Sequence, residues 1–322
     1  MKMTIIDLLS DLSLTRSEEL LGTIHFGRMI APHQAAKLMG VSEDYILKLK
    51  KDLNKKGKMI ISHQPARRRR GSVVYPERYK LGPRMYELGP AGKTVVEGII
   101  GRKINYKPLT GSQKTHFYGI NDVLIRTIER MIKKEKQRIK SDIPEDRRKI
   151  LARERVFEYV QWFNTQETHE IIAHAWSAIL NPERWKGKES DRERLIDDLV
   201  FPDARLVIGD KACWIEYDNM TENIKPDPLR PKALDSPNQT YIYDKFIKYI
   251  NTLGPIKNHD TVIWITPSEK RKQNMQQCWE EVKNSAIVQK KRQQVERMGG
   301  RFFLPTMLFF IPGEEQHFIT QL

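Results

Sequence analysis

The sequence has little cysteine, no long apolar run and fewer acidic than basic residues. Its two cysteines, Cys213 and Cys278, stand far apart, which argues against a disulfide scaffold and a cysteine-based zinc site. No apolar run approaches the roughly 18 residues that a membrane-spanning helix needs. The N-terminus also lacks the pattern of a secretory signal peptide. We therefore expect a cytoplasmic protein that does not associate with membranes.

Basic residues are in excess, and the excess is concentrated in the first third of the chain. The formal net charge is +15, from 56 Lys and Arg against 41 Asp and Glu. Residues 1–110 hold 21 Lys and Arg against 10 Asp and Glu, a net charge of +11, which leaves +4 for the remainder. This distribution favours a polyanionic partner that meets the N-terminal third. A surface that is merely basic is the alternative.

The N-terminal third has the pattern of a helix-turn-helix. Residues 33–39 and 42–56 predict two helices, joined by a tight turn at Gly40. Ser42 is a good N-cap for the second helix, whose outer face is basic. In a helix-turn-helix this second helix lies in the major groove of duplex DNA, whereas in an ordinary helical hairpin the lysines would simply be solvated. The residues predicted here to bind DNA are Ser42, Lys48, Lys51 and Lys55.

A basic hairpin is predicted directly after these helices. Residues 58–62 predict one strand and residues 72–81 its partner. The segment between them contains four consecutive arginines: Arg67, Arg68, Arg69 and Arg70. Such a tip can contact phosphates or enter a minor groove, although it could also be a solvated loop. With a closing helix near 92–100, residues 1–100 predict a winged helix-turn-helix DNA-binding domain.

The rest of the chain predicts an α/β domain over residues 115–322, after a linker at 101–114. Two helical patterns, a β-hairpin and then alternating helices and strands indicate a mixed sheet covered by helices. The predicted elements are helices at 116–140, 142–166, 239–253 and 269–298, the hairpin at 201–218, and strands at 261–266 and 301–311.

The hairpin carries the residues that suggest chemistry. Its two apolar strands flank a Gly209-Asp210 turn. Side chains alternate along a strand, so Glu216 and Asp218 share one face, and Asp203 can join them across the hairpin. Two carboxylates on adjacent strands can hold Mg²⁺ or Mn²⁺ and activate its bound water. We predict Asp203 and Glu216 as the metal ligands.

The spacing of these acids is that of metal-dependent nucleases, in which a lysine usually completes the site. Asp218 stands where that lysine is expected, and Lys245 on the following helix is a candidate substitute. The predicted catalytic residues are therefore Asp203, Glu216, Asp218 and Lys245, and a helical acid at Asp122 or Glu129 could join them.

A purely structural role for the same acids is the alternative. Asp203 could cap a helix or pair with Arg205, Glu216 could pair with Lys245, and Asp218 could cap a loop.

Several short motifs are spread over residues 20–265. They are His116-Phe117-Tyr118-Gly119-Ile120-Asn121-Asp122-Val123, Pro202-Asp203-Ala204, Glu216-Tyr217-Asp218-Asn219-Met220-Thr221-Glu222, and Lys245 with Tyr249. Together with the N-terminal helices they resemble the replication-relaxation family of plasmid and phage proteins. The resemblance implies a winged helix joined to a nuclease-like domain of the PD-(D/E)XK type, and a role in plasmid replication, mobilisation or relaxation of supercoiled DNA. A proline-rich insertion at 225–239 departs from the family pattern and separates Lys245 from the acids.

Two functions remain open at this point. The first is a double-stranded DNA-binding protein of plasmid or phage replication or mobilisation, with a Mg²⁺- or Mn²⁺-dependent nicking activity and replication or relaxase proteins as partners. The second is a transcriptional or copy-number regulator whose nuclease-like domain is inactive. A homodimer on inverted half-sites is compatible with both.

Overall fold

A computed structural model of the chain describes residues 3–63, 83–104, 111–181, 187–219, 223–225 and 241–322. Over these residues the fold is mixed α+β, with thirteen helices, a two-stranded sheet and a five-stranded sheet. The chain divides into two compact units. The first unit comprises Met1–Asn164, Leu206–Lys211 and Gly313–Leu322, and the second comprises Thr165–Arg205 and Ala212–Pro312.

The first unit begins with four helices whose ends follow the capping signals of the sequence. The helices are α1 (Ile5–Ser10), α2 (Arg16–Phe26), α3 (Pro32–Met39) and α4 (Glu43–Lys55). Thr15 and Glu18 form a capping box at the start of α2. Gly40 ends α3 with φ +69°, a left-handed conformation that glycine adopts without strain, and the Ser42 hydroxyl caps α4. The two predicted helices and the tight turn between them are confirmed.

A small antiparallel sheet follows α4. Strand β1 (Ile60–His63) pairs with β2 (Met85–Leu88), which leads into α5 (Pro90–Ile100). Ile30, between α2 and α3, forms an isolated bridge with Tyr86, and the two residues exchange backbone hydrogen bonds of 3.1 and 2.8 Å. The predicted strand at 72–81 and the arginines Arg67–Arg70 lie outside the described residues. Strand β2, which pairs with β1, lies beyond the range predicted for that partner and was not predicted as a strand.

Two further helices and a strand complete the N-terminal part of the first unit. They are α6 (Gly111–Arg138), α7 (Glu145–Tyr159) and β3 (Val160–Asn164). Helix α6 begins inside the segment expected as a linker. The prediction of a helix as far as residue 166 is wrong, because Val160, Trp162 and Asn164 bury alternate side chains and continue the chain as a strand.

Helix α6 packs on α3 through residues of the His116–Val123 motif. The Tyr118 hydroxyl lies 3.1 Å from Nε2 of His33, and the Tyr118 carbonyl accepts a hydrogen bond from the Gln34 amide. The Asn121 amide donates to the carbonyls of Gly27 and Met29, which follow the end of α2. This motif therefore has a structural role in joining α6 to the N-terminal helices.

In its described residues the second unit contains five helices and most of the large sheet. The helices are α8 (Thr165–Ser177), α9 (Glu189–Asp197), α10 (Ile242–Leu253), α11 (Glu269–Asn284) and α12 (Ala286–Arg297), and α13 (Glu315–Ile319) returns to the first unit. The prediction of one helix over 269–298 is wrong. Ser285 adopts extended angles, which interrupts the helix, and its hydroxyl caps α12. No helix in the described part of the chain is both long and apolar enough to cross a bilayer.

The large sheet has the strand order β3-β4-β5-β6-β7. Its remaining strands are β4 (Ala204–Ile208), β5 (Lys211–Tyr217), β6 (Thr261–Ile265) and β7 (Met307–Phe310). Strands β5, β6 and β7 run parallel, and Glu216 is in register with Trp264. Phe246 on α10 meets the rings of Trp264 and Trp279 edge to face, with centroids 5.1 and 5.5 Å apart. This aromatic cluster fixes α10 against the end of β5 and β6.

Candidate functional site

The hairpin predicted from the sequence is present, and its three acids are buried. Asp203 immediately precedes β4, Glu216 lies in β5 and Asp218 follows β5 directly. Their exposed fractions are 8%, 1% and 7%. Oδ2 of Asp203 accepts the backbone N–H of Tyr217 at 2.8 Å across the hairpin. The structure thus brings Asp203 beside Glu216, as strand alternation predicted.

Glu216 is bound by two side chains of α10. Nζ of Lys245 lies 2.7 Å from Oε2 of Glu216, and the Tyr249 hydroxyl donates to Oε1. Lys245 and Tyr249 are four residues apart and therefore lie on the same face of the helix. The Lys245 ammonium also lies 5.2 Å from the centre of the Trp264 ring, a cation–π contact.

The insertion does not keep Lys245 away from the acids. Asn223 and Tyr241, on either side of residues 226–240, form a parallel bridge. The N–H of Ile242 donates to the carbonyl of Asn223, and that of Tyr243 to the carbonyl of Ile224, each at 3.0 Å. Because the two flanks of the insertion are held together, α10 begins close to the end of β5. The entropic cost of closing a loop rises only slowly with its length, so a long insertion is compatible with this contact between its flanks.

Burial dominates the electrostatics of this cluster. Desolvation raises the pKa of Glu216 to about 8; the Lys245 ammonium opposes this shift, and the negative charge of Asp203 adds to it. The pKa of Tyr249 is raised well above its usual value by burial and by Glu216. Tyr249 therefore keeps its proton and acts as a hydrogen-bond donor at neutral pH.

Asp218 has different partners from the other two acids. Nη2 of Arg271 lies 2.9 Å from its Oδ1, Nε of Arg271 binds its Oδ2, and the Thr266 hydroxyl donates to Oδ2 at 2.9 Å. This bidentate pair ties the end of β5 to the end of β6 and to α11. Asp218 was predicted as a catalytic residue or as a loop cap, and the structure gives it this anchoring role.

Of the ion pairs considered as structural alternatives for the other two acids, the structure contains one. Glu216 does pair with Lys245, but Arg205 binds Asp260 at 2.7 Å instead of Asp203.

The additional acids considered on α6 have ion-pair partners within the first unit. Asp122 binds Arg126, and Glu129 lies 3.0 Å from Lys37.

Sequence reasoning missed Tyr249, Thr266 and Arg271 as partners of the acids. The spacing of Lys245 and Tyr249 was the available signal for the first of them. The other two follow only from the pairing of β5 with β6, because Thr266 directly follows β6 and Arg271 lies in the first turn of α11.

The donor set suits a hard cation held by few protein ligands. Mg²⁺ prefers carboxylate oxygens and usually keeps several waters, so Asp203 and Glu216 are a sufficient pair. Within the described ranges no group of three or more His, Cys, Asp or Glu side chains could hold a metal ion. A Mg²⁺ or Mn²⁺ ion here would have to rest on Asp203 and Glu216 with water completing its shell, and it would compete with Lys245 and Tyr249 for the oxygens of Glu216.

The outer face of α4 is the second candidate site. Lys48, Lys51 and Lys55 are exposed there, and Lys55 lies 2.7 Å from Asp52. The hydroxyl of Ser42 accepts the N–H of Tyr45, so Ser42 acts mainly as the N-cap. The inner face buries Ile46 and Leu53.

Two other exposed residues share the outer face of α4 with its lysines. Asp44 and Leu47 precede Lys51 by seven and four residues, which places all three on one side of the helix. Leu47 is 44% exposed. An exposed leucine in this position was missed, although the same spacing rule that selected the lysines identifies it.

No protein-family model, curated protein or solved structure matches this chain. Function is therefore inferred from the geometry and charge of the residues described above.

Proposed function

We propose that the protein binds double-stranded DNA in plasmid or phage replication or mobilisation, with the first unit as a winged helix-turn-helix and the second as a PD-(D/E)XK-type nicking domain that uses Mg²⁺ or Mn²⁺. The observation that carries the proposal is the contact between Lys245 and Glu216, 2.7 Å long, at the end of a carboxylate-bearing hairpin. Lys245 thus supplies the ammonium group that the sequence motif lacks, because Asp218 stands at the usual position of the lysine.

The order of elements in the first unit supports the DNA-binding part. The elements follow one another as they do in winged helices. They are a helix, the bridging residue Ile30, two helices joined by a tight turn, and the paired strands β1 and β2. Helix α4 is then the recognition helix. Lys48 and Lys51 are suited to phosphates or guanine edges, and Leu47 to a thymine methyl group. Arg67–Arg70 are the predicted second point of contact.

The carboxylate cluster supports the nicking part. Asp203 and Glu216 would hold the cation, which when bound activates a water molecule and polarises the phosphate. Lys245 would stabilise the negative charge that develops on the phosphate during cleavage. Tyr249, protonated at neutral pH, orients Glu216 through its hydroxyl hydrogen bond. The backbone N–H of Tyr217 orients Asp203 in the same way.

The alternative function also has a specific observation in its favour. Glu216 is 1% exposed, and both of its carboxylate oxygens accept a hydrogen bond from α10. In this alternative the cluster serves only to stabilise a nuclease-like domain that does not cleave DNA. The protein would then be a transcriptional or copy-number regulator with the same DNA-binding unit.

Nicking of supercoiled plasmid distinguishes the two functions. Wild-type protein, Asp203→Asn and Lys245→Met are incubated with plasmid and Mn²⁺ and compared with Asp210→Asn, which changes an exposed acid in the turn of the same hairpin. We expect open-circular product from the wild type and Asp210→Asn, and only background from the other two. Equal background from all four proteins, with DNA binding intact, would establish the regulator instead.

A further inference from the structure

The second unit contains a large cavity that is separate from the carboxylate cluster. Its volume is about 1010 Å³, and it lies between α9, the ends of α10 and α12, and residues 300–304. None of Asp203, Glu216 or Lys245 lines it. This volume is at the upper end of what sites for small organic ligands have.

The floor of the cavity is apolar and is fixed by the core. Trp176 and Ile250 are each 3% exposed and belong to the main apolar core, and Leu199, Val295 and Phe302 surround them. The indole N–H of Trp176 donates to the Thr252 carbonyl at 3.0 Å, which holds the ring in place. The floor is therefore preformed and offers contact to an apolar body.

Cations predominate among the charged residues of the lining. Lys257, Lys291 and Arg301 line the cavity together with a single acid, Asp198, which lies 3.6 Å from the ammonium of Lys248. Lys291 is the most enclosed of the three cations. Its ammonium donates to Oδ1 of Asn251, and burial lowers its pKa, an effect that the negative charge of Asp198 opposes. A partly desolvated ammonium beside an apolar floor gains more from an anionic partner than an exposed one does.

The ends of α10 and α12 do not cancel this positive charge. Helix C-termini carry partial negative charge on their last carbonyl groups. Here those carbonyls accept backbone hydrogen bonds: Leu253 from Asn258, Gly254 from Lys257, and Val295 from Gly300. The full charges of the side chains therefore determine the sign of the site.

We propose that this cavity binds a small amphipathic carboxylate, with its apolar body over Trp176 and Ile250 and its carboxylate on Lys291. The proposal is independent of DNA binding and of nicking. An apolar body alone would desolvate the Lys291 ammonium further, with only Asp198, which also faces Lys248, as a nearby acid of the lining. A fully polar anion would leave the apolar floor in contact with water. Both groups on one molecule satisfy both parts of the lining.

Isothermal titration with dodecanoate and with dodecan-1-ol tests the proposal on the full-length protein. These two probes have the same chain and differ only in the head group. We expect saturable binding of one dodecanoate per chain, about tenfold tighter than binding of the alcohol. Lys291→Met and Arg301→Met should each weaken dodecanoate binding and leave the alcohol unaffected. Lys270→Met, an exposed lysine on α11 outside the cavity, is the matched control and should change nothing.

A variant that covers the apolar floor of the cavity completes the test. Leu199→Trp should abolish binding of both probes, and because Leu199 is only partly buried the variant should fold, which circular dichroism checks. Equal affinity for the acid and the alcohol would overturn the proposal, as would full dodecanoate affinity in both Lys291→Met and Arg301→Met. A concentration-dependent dimer that Leu199→Trp disrupts would also overturn it, because the cavity would then accommodate a second copy of the chain.

Discussion

The outer face of α4 and the acids of the β4–β5 hairpin place charge in opposite environments. Lys48 and Lys51 lie in water on one side of α4, where a charge costs little and stays available to a polyanion. Glu216 and Asp218 are buried, and each is held by dedicated donors. We therefore expect charges on α4 to be replaceable without loss of stability, whereas charges in the hairpin also stabilise the fold.

Removal of Arg271 should give the largest effect, because it breaks the most enclosed of these pairs. The side chains of Arg271 and Asp218 are only 12% and 4% exposed. Arg271→Met leaves a buried carboxylate without its cation, and we expect a loss of about 3–5 kcal/mol in the free energy of unfolding. Urea denaturation followed by tryptophan fluorescence measures it, since Trp176, Trp214, Trp264 and Trp279 all lie in the second unit.

Lys270→Met is the control, because this lysine precedes Arg271 and is exposed. It should stay within about 0.5 kcal/mol of the wild type. If Arg271→Met also lost no more than about 0.5 kcal/mol of unfolding free energy, buried charges would be no more important for stability than exposed ones.

A buried histidine in the first unit should make the stability of the protein depend on pH. Burial, assisted by Arg102 and Arg28, lowers the pKa of His25 from 6.5 to about 4. The unfolded chain therefore binds a proton between these values that the folded chain does not. Stability is complete above pH 6.5 and falls as the pH drops towards 4, by about 3 kcal/mol in total.

Replacement by His25→Leu removes this titration. The difference in unfolding free energy between wild type and variant should change by that amount between pH 7 and pH 4, as measured by urea denaturation at each pH. A constant difference would show that His25 is not held in its neutral form.

Removal of two lysines from α4 should affect binding and leave stability almost unchanged. For Lys48→Ala with Lys51→Ala we expect about tenfold weaker binding of duplex DNA and a change of roughly 2 in the slope of log K against log salt concentration. Fluorescence anisotropy at several salt concentrations measures both quantities. A loss of stability above about 0.5 kcal/mol would remove the contrast with the hairpin.

The smallest effect is expected from Leu47→Ala. This exposed side chain can contact a thymine methyl group, so its loss should reduce discrimination between sites by about 1 kcal/mol or less. Competition binding with duplexes that carry T or U at single positions detects the missing methyl contact. Tyr45→Phe, also on α4 and 38% exposed, retains the ring and serves as the matched control.

Local signals in the sequence predicted the parts of the fold that depend on neighbouring residues. The turn at Gly40, the N-cap at Ser42 and the Gly209-Asp210 hairpin all follow from the chemistry of a few adjacent residues. The juxtaposition of Asp203 and Glu216 followed from strand alternation in the same way.

Elements that depend on distant partners could not be predicted in this way. β2 is a strand because it pairs with β1 and, at Tyr86, with Ile30. β3 is a strand because its alternate side chains are buried, although helical periodicity also fitted its sequence. The contact of Lys245 with Glu216 depends on the Asn223–Tyr241 bridge, which brings the flanks of a long insertion together. Arg271 became a partner of Asp218 only through the parallel pairing of β5 and β6.

The ion pair between Arg126 and Glu315 has a consequence for how the protein is made. Nη2 of Arg126 lies 2.7 Å from Oε1 of Glu315, which is fully buried, and both residues belong to the first unit. Domains generally fold in order as the ribosome releases them, N-terminal first. Here α13 joins the first unit only after residues 165–312 have been synthesised. The N-terminal helices can therefore form the Arg126–Glu315 pair only once the second unit has left the ribosome.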